Sequence, residues 1–393
     1  MIALRESNKN VEKIFKDHLA YTKPYVELMI RFYLDFFKLL PKLKNKKVSD
    51  KIVIDQIMKI KRNHDIDHYK RLLKNTLKAK TPLDNESHLV MFKYDTDLCI
   101  PAKKNSIVVS ALNSLLTDYE AILKFEINGD QPAKITEYER WKNTYEPIKF
   151  LLKGIFDYDD WFLNLGTTEK WGPYQLALAL DIKTCAYCNR SYTFSLTDAS
   201  GAKKGRPDFD HFLPKNVNPL LALSFFNLIP SCKICNGPSV KSSKPVSYTT
   251  HLNPYEDNTK SGLTRFTYYP NTYEASIGMD EDLEISLKYA GAQLDSRLKK
   301  KAEGNISLFY LDDTYQQHTD IVQEIVRKRT ISNDRYIEEL QNTYRHLNLS
   351  IEEAYRFAFG NYYNESDFHK RPISKLTKDI AIEMKTFVKI KTP

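Results

Sequence analysis

Between residues 8 and 40, apolar side chains recur every three or four positions. Val11, Ile14, Phe15 and Leu19 are followed by Val26, Met29, Ile30, Tyr33 and Phe37. That period marks a helix with one buried face. Pro24 interrupts the run and marks either a break or a helix start, because proline has no amide hydrogen for the ladder. Similar spacing predicts one or two helices over 48–79 and more over 106–125 and 134–155. Turn-forming residues and two tryptophans crowd DYDDWFLNLGTTEKWGP at 157–173, where a boundary is expected. Short β-like runs follow at 263–290. RFTYYP and TYEASI, joined through Pro270-Asn271, are predicted to form a hairpin. From Asp295 onward the pattern is helical again. Ser350 and Glu353 have the spacing of a capping box. The expected class is α+β and mostly helical. A basic helical region over 1–160 precedes a compact module at 175–260, and a hairpin with further helices fills 261–393.

Composition narrows the possibilities. With 393 residues, 42% of them hydrophobic, the chain can bury a sizeable core. Its net charge is +9, but residues 1–80 hold 20 Lys and Arg against 9 Asp and Glu. Such a surplus suits an acidic partner such as nucleic acid, and equally a solvated helical face. The start, MIALRESNKN, has no apolar stretch of a secretory signal. The most apolar run, at 28–40, is broken by Arg31, Asp35 and Lys38, so it reads as amphipathic. A cytoplasmic protein without a membrane partner is expected. No phosphate-cradling loop, dinucleotide fingerprint or GxSxG element is present. His64 and His68 lie four apart but have no clear third ligand.

Four of the five cysteines form two close pairs, Cys185/Cys188 and Cys232/Cys235. Each short spacing lets two thiolates turn onto one ion, and four make a closed tetrahedral site for a structural Zn²⁺. Cys99 stands apart and is expected to be a small core residue. The 43 residues between the pairs exceed what a simple zinc ribbon needs. They contain Asp210-His211 within DHFLP, and Asn227 follows sixteen residues after the histidine. Asn236 comes nine residues later, directly after the second pair.

In this order the stretch 185–241 resembles an HNH nuclease of the ββα-metal family. The resemblance implies a central ββα-metal HNH module stapled by a four-cysteine zinc site, and hydrolysis of phosphodiester bonds. His211, with a near-neutral pKa, is the expected general base. Asp210 and Asn236 are the expected oxygen ligands for Mg²⁺ or Mn²⁺. Asn236 could instead cap the helix after the cysteines. Asp208, two residues before Asp210 on the same strand face, is the alternative acid, with Asp210 preferred. By the same resemblance Asn227 is not a ligand and holds the loop and the histidine ring through backbone hydrogen bonds. Arg190, Lys215, Lys241 and Lys244 flank the site as candidate DNA-phosphate contacts or as ordinary solvated charges. His251, just beyond, is expected to be structural. NPYED after the module and HKRPISKLTKD at 369–379 are similar to HNH proteins of bacterial defence systems of the Septu type, which act beside an ATPase partner subunit. The competing reading is a zinc-stabilised nucleic-acid-binding or scaffold subunit without catalysis of its own.

Overall fold

A computed structural model describes residues 1–43, 102–126, 132–163, 171–200, 202–241, 244–256, 261–291, 295–331 and 336–384. The helices expected over 48–79, with His64 and His68, and Cys99 lie outside these described residues.

The first apolar stripe is one helix, α1 (Val11–Leu43), which runs through Pro24 without a break. Pro24 cannot donate to the carbonyl of Ala20. Burial of Tyr25, Val26, Met29 and Ile30 just beyond it offsets that loss. Helix α2 (Ala102–Leu123) lies along α1 and buries Val108, Leu112, Leu115 and Ile122. Helices α3 (Pro132–Tyr145) and α4 (Lys149–Ile155) complete this region.

The middle of the chain starts with α5 (Pro173–Leu180). It continues with a small ribbon, β1 (Leu196–Thr197) against β2 (Lys203–Gly205). A second antiparallel pair, β3 (Asp208–His211) against β4 (Leu228–Ser231), is followed at once by the one-turn helix α6 (Lys233–Asn236). A third pair joins β5 (Thr264–Pro270) to β6 (Leu283–Tyr289). The expected partner TYEASI is not its second strand. Thr272 accepts a hydrogen bond from the Ala275 amide and caps a helical turn, Tyr273–Ser276, between the strands. The rest is helical: α7 (Ser296–Leu308), α8 (Leu311–Tyr315), α9 (Thr319–Ile331), α10 (Tyr336–Thr343), α11 (Ile351–Phe359) and α12 (Ser374–Glu383). Ser350 and Glu353 form the capping box at the start of α11.

The three predicted regions share one core. Buried apolar residues in contact run from Ile2 to Ala381. NPYE at 253–256 is part of the seam. The Asn253 amide donates to the carbonyl of Phe226 (2.9 Å) and its oxygen accepts from the Tyr255 amide (2.9 Å). The buried carboxylate of Glu256 pairs with Lys301 on α7. Gly304 is required there, because a Cβ would lie 2.0 Å from the carbonyl oxygen of Thr250. No helix among the described residues is long and apolar enough to cross a membrane.

His18 ties α1 to the loop before β4. The Trp171 indole donates to its Nδ1 (3.2 Å), so Nε2 carries the hydrogen and donates to the carbonyl of Leu223 (2.9 Å). Burial pushes its pKa down to about 4. The neutral ring therefore contributes fully above pH 6.5, and the contribution is lost as pH falls towards 4. Over that window His18 should add up to about 1.4 kcal/mol per pH unit to the slope of stability against pH. Chemical denaturation of wild type and His18→Gln across pH 4–7 should show the smaller slope in the variant.

Candidate functional site

The first cysteine pair sits in a tight turn between Thr184 and Tyr192, which are joined by a β-bridge. The Cys185 amide donates to the carbonyl of Ser191 (3.0 Å), and the Asn189 amide to that of Cys185 (2.9 Å). Asn189 takes a left-handed conformation, φ 50°, which asparagine tolerates better than most residues. The Arg190 amide then reaches the Cys188 sulphur at 3.4 Å. The second pair repeats the device, with the Cys235 amide 3.4 Å from the Cys232 sulphur. The Ala186 amide donates to the carbonyl of Pro230 (3.1 Å) and lays the first turn beside β4. All four sulphurs are buried within 4.8 Å of one another. Four soft donors so close can hold a metal ion such as zinc.

The surrounding chain is fastened to this cluster. The side-chain amide of Asn189 donates to Thr184 Oγ1 and to the carbonyls of Phe368 and Arg371, and its backbone oxygen accepts from the Ile373 amide (2.7 Å). HKRPISKLTKD therefore packs on the first cysteine turn. The Tyr315 hydroxyl donates to the carbonyl of Cys188 (2.6 Å).

Asn227 organises the loop between β3 and β4. Its oxygen accepts from the Leu213 amide (2.7 Å), and its NH₂ donates to the carbonyls of Leu213 (3.1 Å) and Leu221 (3.0 Å). The next residue, Ala222, presents its carbonyl to His211 Nε2 at 3.0 Å. A carbonyl only accepts, so Nε2 carries the hydrogen and Nδ1 keeps a free lone pair. Nδ1 has no hydrogen bond among the described residues. The ring packs edge-on against Tyr158, with centroids 4.5 Å apart. Burial lowers the His211 pKa to about 3 and keeps the imidazole neutral.

Strand alternation turns Asp210 away from His211. The Tyr187 hydroxyl donates to Asp210 Oδ2 (2.6 Å), and Lys241 Nζ to Oδ1 (2.9 Å). Lys241 also donates to the carbonyl of His211 (2.6 Å). It is only 1% exposed, so it is neither a surface phosphate contact nor a solvated charge. It neutralises Asp210 from within the core. A carboxylate has about four lone-pair sites, and two remain on Asp210. Tyr187 in turn stacks on Phe309, with centroids 4.1 Å apart.

A cavity of about 380 Å³ opens beside these groups, and Asp208, Asp210, His211 and Asn236 all line it. Neither the Asp208 carboxylate nor the Asn236 side chain has a hydrogen-bond partner among the described residues. Alternation separates both acids from His211 alike, so it gives no reason to prefer Asp210 over Asp208. Lys215 also borders the cavity; it pairs with Asp159 and lies 4.9 Å from the centre of the Tyr158 ring. Arg190 and Lys244 do not line it. Lys244 instead lies 5.0 Å from the Tyr310 ring centre. His251 is also outside, hydrogen-bonded through Nδ1 to Thr250 (2.8 Å). Tyr158, Asp159 and Arg206 are lining residues that sequence reasoning missed. Tyr187 was missed as well, although its place inside the first cysteine pair was a usable signal.

No family model matches the chain, and no solved structure matches it significantly. A 110-residue stretch is 32% identical to the Septu protein PtuB of Bacillus thuringiensis. The match covers 27% of this chain and 38% of that protein, so the chain spans well under half the length of this curated relative.

Two outcomes test this geometry. Cys185→Ser or Cys232→Ser should lower the metal content of the purified protein, from about one zinc per chain, and reduce its melting temperature; elemental analysis and calorimetry read both. Asn227→Ala should destabilise the fold by about 2–4 kcal/mol in denaturant titrations, because it orphans buried backbone groups.

Proposed function

We propose that the chain is a metal-dependent endonuclease of the HNH type that hydrolyses phosphodiester bonds of DNA in a bacterial defence system. One observation carries the chemistry: the β3–β4 pair and the following helical turn bring a neutral histidine, two carboxylates and a free amide to one cavity beside four gathered thiols. The similarity to a Septu protein supports the defence role. An ATPase subunit is the partner that the Septu-type resemblance implies.

Each residue has a task in this reading. The four cysteines hold a structural Zn²⁺. Asp210, Asp208 and Asn236 offer hard oxygen donors suited to Mg²⁺ or Mn²⁺. Bound there, such an ion supplies charge relief to the phosphate and the leaving 3′ oxygen. His211 uses Nδ1 to take the proton of the attacking water, while Nε2 stays tied to Ala222. A phosphate in the cavity adds negative charge, which raises the histidine pKa towards the range useful for a base. Asn227 positions the loop that orients the ring. Lys215 and Arg206 line the cavity and offer positive charge to the phosphodiester.

The Asp210–Lys241 pair favours a second reading, a zinc-stabilised nucleic-acid-binding or scaffold subunit. A carboxylate already beside an ammonium attracts a divalent cation less strongly. Mutation separates the two. His211→Ala should keep fold, zinc and DNA affinity while cleavage falls about 100-fold or more. Asp210→Asn is preferable to alanine, which would strand the buried Lys241 charge. It should raise the Mg²⁺ or Mn²⁺ concentration needed for cleavage. Assays with the full chain, in cells and with its partner present, decide the matter. Undiminished protection by His211→Ala would leave only the binding reading.

A further inference from the structure

The segment between the first cysteine turn and β3 is built inside out. Along 192–196, Tyr192, Phe194 and Leu196 face solvent at 55%, 52% and 52% exposure. Thr193 between them is buried, and the hydroxyl oxygens of Thr193 and Ser195 are buried without a hydrogen bond among the described residues. An ordinary strand at a protein surface does the reverse, with apolar side chains inward and polar ones outward. A slip of one residue would correct the pattern. The cysteine turn prevents it. The Cys185 amide is bonded to the Ser191 carbonyl, and the Thr193 amide to the Lys183 carbonyl (2.9 Å), which locks the register at the base of the turn. The Tyr192 and Phe194 rings lie together on the outer face, with centroids 5.4 Å apart.

Charge and position indicate what covers this face. Lys203 and Lys204 lie on β2, Arg206 follows it directly, and Lys183 holds the Thr193 amide through its carbonyl; Lys183 also lies 3.9 Å from Asp181, and the Lys203 ammonium lies 5.2 Å from the Tyr174 ring centre. The acid Asp198 is engaged on its own loop, accepting from the amides of Ser200 and Ala202. Its pair with Lys204 is a surface contact at 3.0 Å, weak enough for a phosphate to replace. The ribbon runs straight into β3, and Arg206 at its end lines the cavity beside Asp208 and His211. Exposed aromatic rings among cations form a platform for bases with open faces and for the phosphates between them. Paired bases inside a duplex have no free face to offer.

We infer that the outward face of residues 192–206 binds unpaired bases of DNA, with Tyr192 and Phe194 stacking on them and the ribbon lysines contacting the backbone as it enters the cavity. The identity of the occupant rests on the nuclease reading; the inverted face does not.

The test uses the full-length chain carrying His211→Ala, with no added divalent ion, so that binding is measured without cleavage. Fluorescence anisotropy with a labelled oligothymidine and with a labelled duplex of equal length gives both affinities. Tyr192→Ser/Phe194→Ser should weaken oligothymidine binding about tenfold or more and leave duplex binding within about threefold. Tyr192→Trp should keep or improve binding to the single strand. Both substitutions sit on an exposed face, and unchanged zinc content and melting temperature would confirm intact folding. Equal oligothymidine affinity of the parent and the double variant would overturn the inference, as would no binding by the parent. A parent that is dimeric and a double variant that is monomeric with unchanged DNA affinity would also overturn it, assigning the face to a second copy. The nuclease reading fails separately, through the cleavage assay on His211.

Discussion

Residues 188 and 232 are separated by 43 intervening residues, yet their sulphurs meet in one buried group within 4.8 Å. Closing a loop of that length costs chain entropy, and contacts at the closure must offset it. The Ala186–Pro230 bond and the capacity of four thiols to share one cation do so together. Once the ends are joined, the intervening chain has few options. It must leave the first turn as a ribbon, cross as β3, loop back and return as β4.

In and beside that closed loop, several polar groups are buried. Asn227, Asp210, Lys241 and His211 are all nearly excluded from water. Each survives because its hydrogen bonds are supplied by backbone, by another of the four or, for Asp210, also by Tyr187. The exceptions are informative. Among the described residues, His211 Nδ1, the Asp208 carboxylate and the Asn236 side chain have no hydrogen-bond partner, and all three residues line the cavity. Open polar capacity therefore gathers at the cavity, while the buried hydroxyls of Thr193, Ser195 and Ser231 have no partner among the described residues elsewhere in the loop.

Much of this was legible from residue order. The two cysteine pairs, Asp210-His211, Asn227 and Asn236 stood out because close spacing along a chain limits where side chains can go. The helix over 8–40 and the capping box at Ser350 were legible for the same reason. Other features depend on contacts between distant segments. Tyr158 and Arg206 reach the cavity from either side of the cysteine turn, and no spacing relates them. Lys241 looked like one more surface cation, and only the fold shows the carboxylate beneath it. Pro24 looked like a break or a helix start, but packing on both sides carried the helix through. In TYEASI, the capping strength of Thr272 outweighed the β-like pattern.

Asn189 gives these connections a practical meaning. Its left-handed backbone and its side chain grip residues 368–373, nearly two hundred positions downstream. A segment cut out at the edges of the cysteine-bearing region would lose the carbonyls that this residue holds. The region is thus a keystone and not a cassette. Grafting it into another protein would require carrying the distant tail along or redesigning the turn that awaits it.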